Sequence, residues 1–214
     1  MHTPDDWTRP HLDRSALLLI DVQADFLDDG RSPVPGTSAV LPALTRLAVA
    51  FRTAGLPIFH VLRLYAGDDV DLVRRELAAG GSGPVRPGTA GSRIPGTLLG
   101  ADCEPDPDRL LAGDLQSVAA REWLLWKPRW SAFHRTGLEA ALHGLGVDTV
   151  VVAGCNFPNC PRATIFDASE RDFRVVMVAD ATSGVTDERW GDLLAIGAVG
   201  MSTAELESAL RRLN

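Results

Sequence analysis

Cys160 is the first residue whose type and position indicate chemistry, because it stands where a strand pattern gives way to a helix pattern. The preceding residues 147–153 form an apolar, β-branched run that is typical of a buried parallel strand. Pro161 follows, and proline is favoured in the first turn of a helix. A thiol there lies near the positive end of the helix dipole, which favours the thiolate. The pattern indicates a nucleophilic cysteine, although a buried structural cysteine is the commoner situation for a cysteine considered alone.

Lys127 is the second candidate, because it is the only lysine among 21 lysine and arginine residues. A bias toward arginine codons explains why lysine is scarce. It does not explain why the one lysine directly follows a strand-like run, residues 121–126. The lysine ammonium is a compact point charge whose pKa changes on burial, and arginine does not reproduce that behaviour. Position 127 is therefore a candidate for a site that requires an ammonium group.

Asp21 is the third candidate and follows the apolar run 16–20. In a doubly wound sheet, ligands bind in the crevice outside the carboxyl ends of the strands. The ordinary alternative is a carboxylate that ends a strand and begins a loop. Asp21, Lys127 and Cys160 each follow a predicted strand, and parallel strands place those ends on one edge of a sheet. A base, a cation and a nucleophile at one edge meet the requirements of covalent acyl transfer.

The elements that must position these residues are strands that alternate with helices. Apolar runs predict strands, and amphipathic spacing with capping residues predicts helices. The predicted strands cover residues 16–20, 57–63, 121–126, 147–153 and 173–179, with a short edge strand at 200–202. The predicted helices cover residues 37–54, 71–79, 137–145, 160–172, 188–197 and 203–212. This alternation predicts an α/β fold with three α-β-α layers around a central, mostly parallel sheet of about five or six strands.

The length of 214 residues suits a single domain that spans residues 1–214. Residues 1–14 are polar and contain two prolines, which predicts an N-terminal arm. Residues 80–108 are rich in glycine and proline and are predicted to form a long loop that acts as a lid, a pocket rim or an oligomer contact.

Composition excludes several classes of function. The formal net charge is −7 with no basic block, which argues against nucleic acid as a partner. No apolar run has membrane-spanning length and the N-terminus does not resemble a signal peptide, so we expect a cytoplasmic protein with no membrane partner and with three cysteine thiols. Residues 80–83 follow a predicted helix and lack a phosphate-loop motif, which argues against nucleotide binding. His60 lacks converging ligands nearby, so a packed strand histidine is favoured over a metal ligand.

With these residues in place, the sequence resembles the isochorismatase-like cysteine hydrolase family, which includes nicotinamidases and N-carbamoylsarcosine amidase. The resemblance covers about residues 14–204. It is carried by residues 18–26 (Leu-Leu-Ile-Asp-Val-Gln-Ala-Asp-Phe), by Lys127 and by residues 154–168. It implies an isochorismatase-like, Rossmann-like fold.

The resemblance also implies roles for individual residues. Asp21, Lys127 and Cys160 correspond to the catalytic triad of the family. A cis peptide bond is implied between Cys155 and Asn156, with the backbone amides of Asn156 and Cys160 directed at a developing oxyanion. The implied activity is a cysteine-dependent hydrolysis of a C–N bond in a small amide, carbamoyl or lactam substrate, through a thioester intermediate.

Two alternative functions are open at this point. Family members that cleave a vinyl ether lack the cysteine, so Cys160 favours amide or carbamoyl chemistry. The first alternative is nevertheless an isochorismatase-type vinyl-ether hydrolase that uses Asp21 as the acid, and the second is a non-catalytic binding member of the fold. The nicotinamidase branch carries one Asp and two His as metal ligands after the second strand, and residues 60–68 lack this trio. We therefore predict no metal and no cofactor, and nicotinamide is a disfavoured substrate.

The small-molecule substrate requires a pocket, and five residues close in sequence to the proposed catalytic groups or to the second strand are candidates for its wall. The apolar candidates are Phe26, Trp130 and Phe157, and the candidates for contact with a polar or anionic group are Arg63 and Tyr65. Packing of the aromatic rings in the core, or an arginine at the surface, explains each residue equally well. The family resemblance and the apolar C-terminal helix also predict a homodimer or a higher homo-oligomer.

Overall fold

A seven-stranded sheet lies at the centre of the protein, whose computed structural model describes residues 7–213. Its strands are β1 (Ser15–Ile20), β2 (Ile58–Leu62), β3 (Gln116–Ala119), β4 (Glu122–Trp126), β5 (Thr149–Gly154), β6 (Arg174–Thr182) and β7 (Val199–Met201). Their spatial order is β3-β4-β2-β1-β5-β6-β7. Neighbouring strands are parallel except β3 and β4, which are antiparallel.

Helices cover both faces of this sheet. They are α1 (Thr37–Thr53), α2 (Arg75–Ala79), α3 (Pro107–Leu111), α4 (Leu138–Gly144), α5 (Cys160–Ser169), α6 (Asp187–Ala195) and α7 (Thr203–Arg211). Within β1, Leu18 and Ile20 share a core cluster with residues of α4, α5 and α6, whereas Leu17 and Leu19 share one with residues of α1, α3 and α7. Each fully buried leucine contributes on the order of 2 kcal/mol. The three-layer α/β class predicted from the sequence is confirmed.

The carboxyl ends of the central strands lie side by side. Ile20 at the end of β1 is opposite both Val61 of β2 and Gly154 of β5. The ladder continues beyond the strands, because the backbone amides of Asp21 and Lys127 donate to carbonyl oxygens of β2 at 2.8 and 3.1 Å. The residues that follow β1, β4 and β5 therefore start from one edge of the sheet, where ligands bind in folds of this class.

Two short elements are absent from the sequence-based prediction. All six predicted strands are present, and β3 is the seventh. It was not predictable from hydrophobicity, because Gln116 and Ser117 are polar and its pairing is with β4 alone. The helix α3 has five residues and begins where the Asp106 side chain accepts hydrogen bonds from two backbone amides. It lies at the end of the predicted loop 80–108, and other parts of that loop are also packed, with Val85 and Leu98 fully buried.

The two ends of the described part of the chain pack against the sheet and α1. The predicted N-terminal arm lies partly outside the described residues, which begin at residue 7. Within the described part, the backbone amide of His11 donates to Thr149 Oγ1 at 3.0 Å. At the other end, α7 packs on α1 and buries Leu206 and Leu210. The apolar face of α7 is thus used within the chain, which removes one of the two reasons for expecting an oligomer. Within residues 7–213, no helix combines the length and the hydrophobicity that crossing a bilayer requires.

Candidate active site

An ion pair between Lys127 and Asp21 forms the centre of the site. Lys127 Nζ lies 2.9 Å from Asp21 Oδ2 and 3.3 Å from the backbone carbonyl oxygen of Arg129. The exposed fraction is 0% for Lys127 and 4% for Asp21. Removing one partner of such a buried pair leaves an uncompensated charge away from water, which is strongly unfavourable. Each side chain therefore fixes the position of the other.

The second carboxylate oxygen of Asp21 has no partner. Oδ1 is buried and accepts no hydrogen bond from any of residues 7–213. The Asp21 backbone also has a left-handed conformation, with φ of 53°, which costs a non-glycine residue about 1–2 kcal/mol. Unsatisfied buried acceptors and strained backbones are both rare, and both cluster at functional sites. Oδ1 is an oxygen that can receive a proton without first giving up another hydrogen bond.

Cys160 is the first residue of α5 and is 8% exposed. Burial and then the Asp21 carboxylate raise its pKa to about 12, whereas the charges of Lys127 and Arg63 act in the opposite direction. The expectation that this position favours the thiolate is therefore wrong, because burial and the Asp21 carboxylate hold the pKa of the thiol well above its ordinary value. A neutral thiol of this kind needs a base before it can act as a nucleophile.

The loop that carries Cys160 leaves β5 through Gly154. The φ of Gly154 is 123°, and a Cβ there would lie 2.3 Å from the carbonyl oxygen of Ile20, so the close approach of β1 requires glycine. The peptide bond between Cys155 and Asn156 is trans, since residues 7–213 contain no cis bond. The cis bond implied by the family resemblance is wrong here. The trans form is the ordinary state of a peptide bond that does not precede proline, and the cis form costs about 3 kcal/mol.

Two backbone amides of this loop are available to a ligand. The N–H groups of Asn156 and Cys160 donate to no acceptor within the described part of the chain. The amide of Cys160 is one of the donors that every helix leaves unsatisfied at its N-terminus, near the positive end of the dipole. These are the two amides that the sequence analysis assigned to an oxyanion hole.

A cavity of about 50 Å³ lies beside these groups. Its wall contains Asp21 and Cys160, and it also contains four of the five predicted pocket residues, Phe26, Arg63, Tyr65 and Trp130. Asn156, which the sequence analysis selected only for its backbone amide, also lines the cavity. Residues that the sequence analysis did not select complete the wall: Ser32, Val34, Arg74, Cys155 and Asn159. A larger cavity of about 470 Å³ lies beside Trp190 and β7, but no cysteine or lysine lines it.

Phe157 does not line the cavity, so its prediction as a pocket residue is wrong. Its ring is fully buried in the core cluster that includes residues of α4 and α5. Its backbone amide donates to the carbonyl oxygen of Ser183 at 2.7 Å, which ties residue 157 to the segment after β6. Closeness to Cys160 in sequence indicated a pocket position, but the direction of the side chain depends on this non-local contact.

Gln23 positions Arg63. The Gln23 side chain is fully buried, and its Nε2 donates to the carbonyl oxygens of Arg63 and Ser92, each at 2.9 Å. Its Oε1 accepts from the backbone amide of Arg63 at 2.8 Å. The Arg63 guanidinium is ion-paired with Asp71 and lies over the Tyr65 ring, 5.5 Å from the ring centroid. The sequence analysis missed Gln23, although its place in the segment 18–26 was a usable signal, and it missed Asp71, for which no local signal exists.

A second buried polar cluster joins α1, β2 and β4 away from the cavity wall. His60 Nε2 donates to Glu122 Oε1 at 2.6 Å, and Arg52 binds the same carboxylate at 2.8 Å. Burial lowers the pKa of His60, so the ring is neutral. Burial opposes ionisation of Glu122, but hydrogen bonds from Arg52 and His60 outweigh it and lower the pKa of Glu122 to about 2. His60 is thus a packed strand histidine, and among residues 7–213 no three His, Cys, Asp or Glu side chains converge as metal ligands.

Comparison with known proteins identifies the family. Residues 15–205 match the isochorismatase domain. The chain belongs to the isochorismatase family. A probable inactive nicotinamidase of Arabidopsis thaliana is 32% identical over 198 residues, which cover 90% of this chain and 92% of that protein. The N-carbamoylsarcosine amidase of an Arthrobacter species is 28% identical, and the match covers 87% of this chain and 70% of that enzyme.

Solved structures agree with this assignment. A crystal structure of an isochorismatase family protein from Desulfovibrio vulgaris superposes with a TM-score of 0.78 at 32% identity, covering 93% of this chain and 99% of that chain. The isochorismatase-like fold and the family inferred from residues 18–26, Lys127 and residues 154–168 are confirmed.

Proposed function

We propose that this isochorismatase-family protein is a cysteine-dependent hydrolase that cleaves the C–N bond of a small amide, carbamoyl or lactam substrate through a thioester. The observation that carries the proposal is the buried pair of Lys127 and Asp21, in which Asp21 keeps one oxygen unpaired and shares a cavity wall with Cys160. A sulfur and a proton acceptor on one cavity wall, with a cation fixed on the acceptor, are the groups that covalent acyl transfer needs.

In the first half of the reaction, the Cys160 thiol gives its proton to Asp21 Oδ1 and the sulfur attacks the carbonyl carbon. The carbonyl electrons move onto oxygen, and the backbone amides of Asn156 and Cys160 stabilise that oxyanion. One such donor contributes about 3 kcal/mol. When the carbonyl re-forms, the C–N bond breaks and the proton on Asp21 passes to the leaving nitrogen. The products are ammonia or an amine, and a thioester on Cys160.

In the second half, water gives a proton to Asp21 while its oxygen attacks the thioester carbon. The C–S bond breaks, the proton returns from Asp21 to the sulfur, and the acid product leaves. Lys127 binds Oδ2 through both halves, so that Oδ1 alone moves the proton.

The electrostatics of the cavity explain why the sulfur and the carboxylate must act together. Because the pKa of Cys160 is raised to about 12, its thiol is neutral at pH 7 before the substrate binds. Proton transfer to Asp21 therefore accompanies the attack, when the oxyanion and its two amide donors balance the new charge. This is the reason to expect that both Asp21 and Cys160 are needed for turnover.

The relatives bear on this proposal in two directions. One relative is an amidase named for N-carbamoylsarcosine, which supports carbamoyl or amide chemistry. The relative from Arabidopsis thaliana is named probable inactive, which favours a non-catalytic binding protein as the second candidate. The presence of Asp21 and Cys160 on one cavity wall, with Lys127 paired to Asp21, favours the enzyme.

The test is a screen for release of ammonia or amine from small amides, carbamoyl compounds and lactams. We expect Cys160→Ala to abolish turnover, and Cys103→Ala, which changes a thiol outside the cavity wall, to leave it unchanged. Intact-mass measurement during turnover should detect the acyl adduct on the wild-type protein and none on Cys160→Ala.

A Cys160→Ala variant that turns over substrate as fast as the wild-type protein would refute the thioester mechanism. If Asp21→Asn then lost the activity and a vinyl ether were the substrate, the acid-catalysed alternative would replace it. Absence of turnover and of adduct across the screen would favour the binding protein.

A further inference from the structure

Asp25 is a buried carboxylate that the proposed reaction does not use. It lies in the 3₁₀ turn Ala24–Phe26, a few residues after Asp21, and is 5% exposed. Its Oδ2 accepts from the backbone amide of Val85 at 2.6 Å, and its Oδ1 accepts from that of Arg31 at 3.3 Å. Within residues 7–213 no salt bridge compensates its charge. A buried charge with no counter-ion is costly, so the bonds to these two amides are what keeps it in place.

The two amides belong to separate segments of the wall around Cys160. Ser32, which follows Arg31, lines the site cavity, and its amide donates to the backbone carbonyl oxygen of Asp25 at 2.9 Å. The carbonyl oxygen of Val85 accepts from the amide of Tyr65 at 3.2 Å, and Tyr65 lines the same cavity. Asp25 therefore connects two stretches of the wall that are far apart in sequence.

Val85 has a strained backbone at this junction. Its φ is 47°, which is an outlier for a β-branched residue. The side chain is fully buried in a cluster with Phe26 and Cys155, which also line the site cavity. Such strain persists only where the surroundings impose it, and it is concentrated at functional sites. Once the hydrogen bond to Asp25 breaks, Val85 can relax to an extended backbone, which moves its carbonyl group away from Tyr65.

A second cavity lies on the other side of these segments. This outer cavity has a volume of about 260 Å³, and its wall includes Arg31, Ser32, Ser82 and Pro84. Ser32 lines both cavities, so the segments that Asp25 holds stand between them. The site cavity, at about 50 Å³, has room for about four water molecules. A substrate with carbon on both sides of its C–N bond exceeds this volume, so part of the wall must move before it enters.

We propose that Asp25 is a positioning residue whose carboxylate holds the wall segments 31–34 and 84–85 closed over Cys160. Substrates larger than the site cavity pass from the outer cavity to the sulfur when the hydrogen bond between Asp25 and Val85 breaks. The inference rests on the proposed function only in taking Cys160 as the atom that the substrate must reach.

The experiment measures access to the sulfur with two thiol reagents of different size. Iodomethane is small, and the 8% exposure of Cys160 lets it reach the sulfur with the wall closed. N-phenylmaleimide is larger than the site cavity and requires the wall to open. Peptide mass spectrometry gives the rate at Cys160 for each reagent, and the rate at Cys103, outside the cavity wall, reports any general loosening of the fold.

Two variants weaken the contact from opposite sides. Asp25→Asn removes the charge and presents an N–H group to one of the two amides. Gly91→Ala leaves Asp25 in place but adds a Cβ that would lie 2.1 Å from its carboxyl carbon, so it also tests the contact if Asp25→Asn does not fold. We expect each variant to react about 10-fold faster with N-phenylmaleimide at Cys160, the scale of one lost charge-assisted hydrogen bond, and less than about 2-fold faster with iodomethane.

Matched controls are available for both variants. Asp29→Ala changes an exposed aspartate of the same loop, and Gly96→Ala adds a Cβ that meets no atom within 4 Å. Both should leave the two rates at Cys160 unchanged. Ser82→Trp narrows the outer cavity and, combined with Gly91→Ala, should reverse most of the gain with N-phenylmaleimide.

The comparison of reagents separates access from thiol reactivity. A change in the pKa of Cys160 would speed both reagents equally, and general loosening would also speed the reaction at Cys103. Either of these results, or unchanged N-phenylmaleimide rates in both variants, would overturn the inference, and a gain that survives Ser82→Trp would exclude the route through the outer cavity. Size-selective gains in a protein that hydrolyses no compound of the screen would refute the hydrolase and leave the role of Asp25 standing.

Discussion

Replacing Lys127 with methionine tests the buried ion pair on which the site depends. Methionine is similar in length and apolar, so Lys127→Met removes the charge with little change in volume. Asp21 then keeps its buried position, with its main partner at 2.9 Å gone and its other oxygen already unpaired. We expect a loss of about 4 kcal/mol in the free energy of unfolding, the usual result of removing one partner of a buried pair.

This magnitude is measurable in a chain of 214 residues. At about 2–4 °C per kcal/mol for a chain of this size, the melting temperature should fall by about 8–16 °C. Urea titration followed by fluorescence of the five tryptophans gives the midpoint and the m-value. The m-value should be unchanged, because the surface exposed on unfolding is the same.

A second substitution separates charge from packing. Adding Asp21→Asn to Lys127→Met removes the carboxylate that has lost its partner. We expect the free energy of unfolding of the double variant to be about 2 kcal/mol higher than that of Lys127→Met alone. Arg129→Met is the control, since its pair with Asp69 is partly exposed and should contribute less than about 1 kcal/mol. A double variant less stable than Lys127→Met, or a Lys127→Met variant as stable as the control, would refute the argument.

Three further outcomes follow from the same geometry. Asp21→Asn should speed alkylation of Cys160 by iodoacetamide at pH 8 while abolishing hydrolysis, because the carboxylate raises the thiol pKa and also accepts its proton; slower alkylation would contradict this. Glu122→Gln should cost about 3 kcal/mol at pH 7. Since the folded pKa of Glu122 is lowered to about 2, this deficit should be constant above about pH 5 and shrink as pH falls through the range 4.5 to 2, as checked by urea titration at each pH. Gly154→Ala should cost about 3 kcal/mol or more in the same titration, because its Cβ would meet the Ile20 carbonyl oxygen at 2.3 Å.

The strands and their common edge were predictable because local hydrophobicity decides them. The run 16–20 is apolar at every position and is fully buried in β1, and the same holds for most of β5. Once the strands are parallel, the residues that follow them must share an edge, so the meeting of Asp21 with Lys127 required no knowledge of the loops. The proximity of Cys160 to that pair follows from the same rule.

The features that were missed depend on contacts between distant segments. Arg74 lies in a segment predicted only as a short helix, yet it lines the cavity together with Arg63, which comes from β2 and is ion-paired with Asp71. The high pKa of Cys160 likewise comes from burial and from the Asp21 carboxylate. The position of Cys160 at the start of a helix indicates neither of these two causes. The edge strand β3 forms because β4 offers it a partner, not because its own residues are apolar.

The solitary lysine gives the fold a chemical reporter. Lys127 carries the one ε-amine in the sequence, and at 0% exposure no acylating reagent or lysine-modifying enzyme reaches it in the native state. Acetylation of that amine requires the sheet edge to open locally. The rate of acetylation therefore reports how often this region leaves its closed form. Mass spectrometry of this single site would thus measure how often that edge of the sheet opens, with and without a bound ligand.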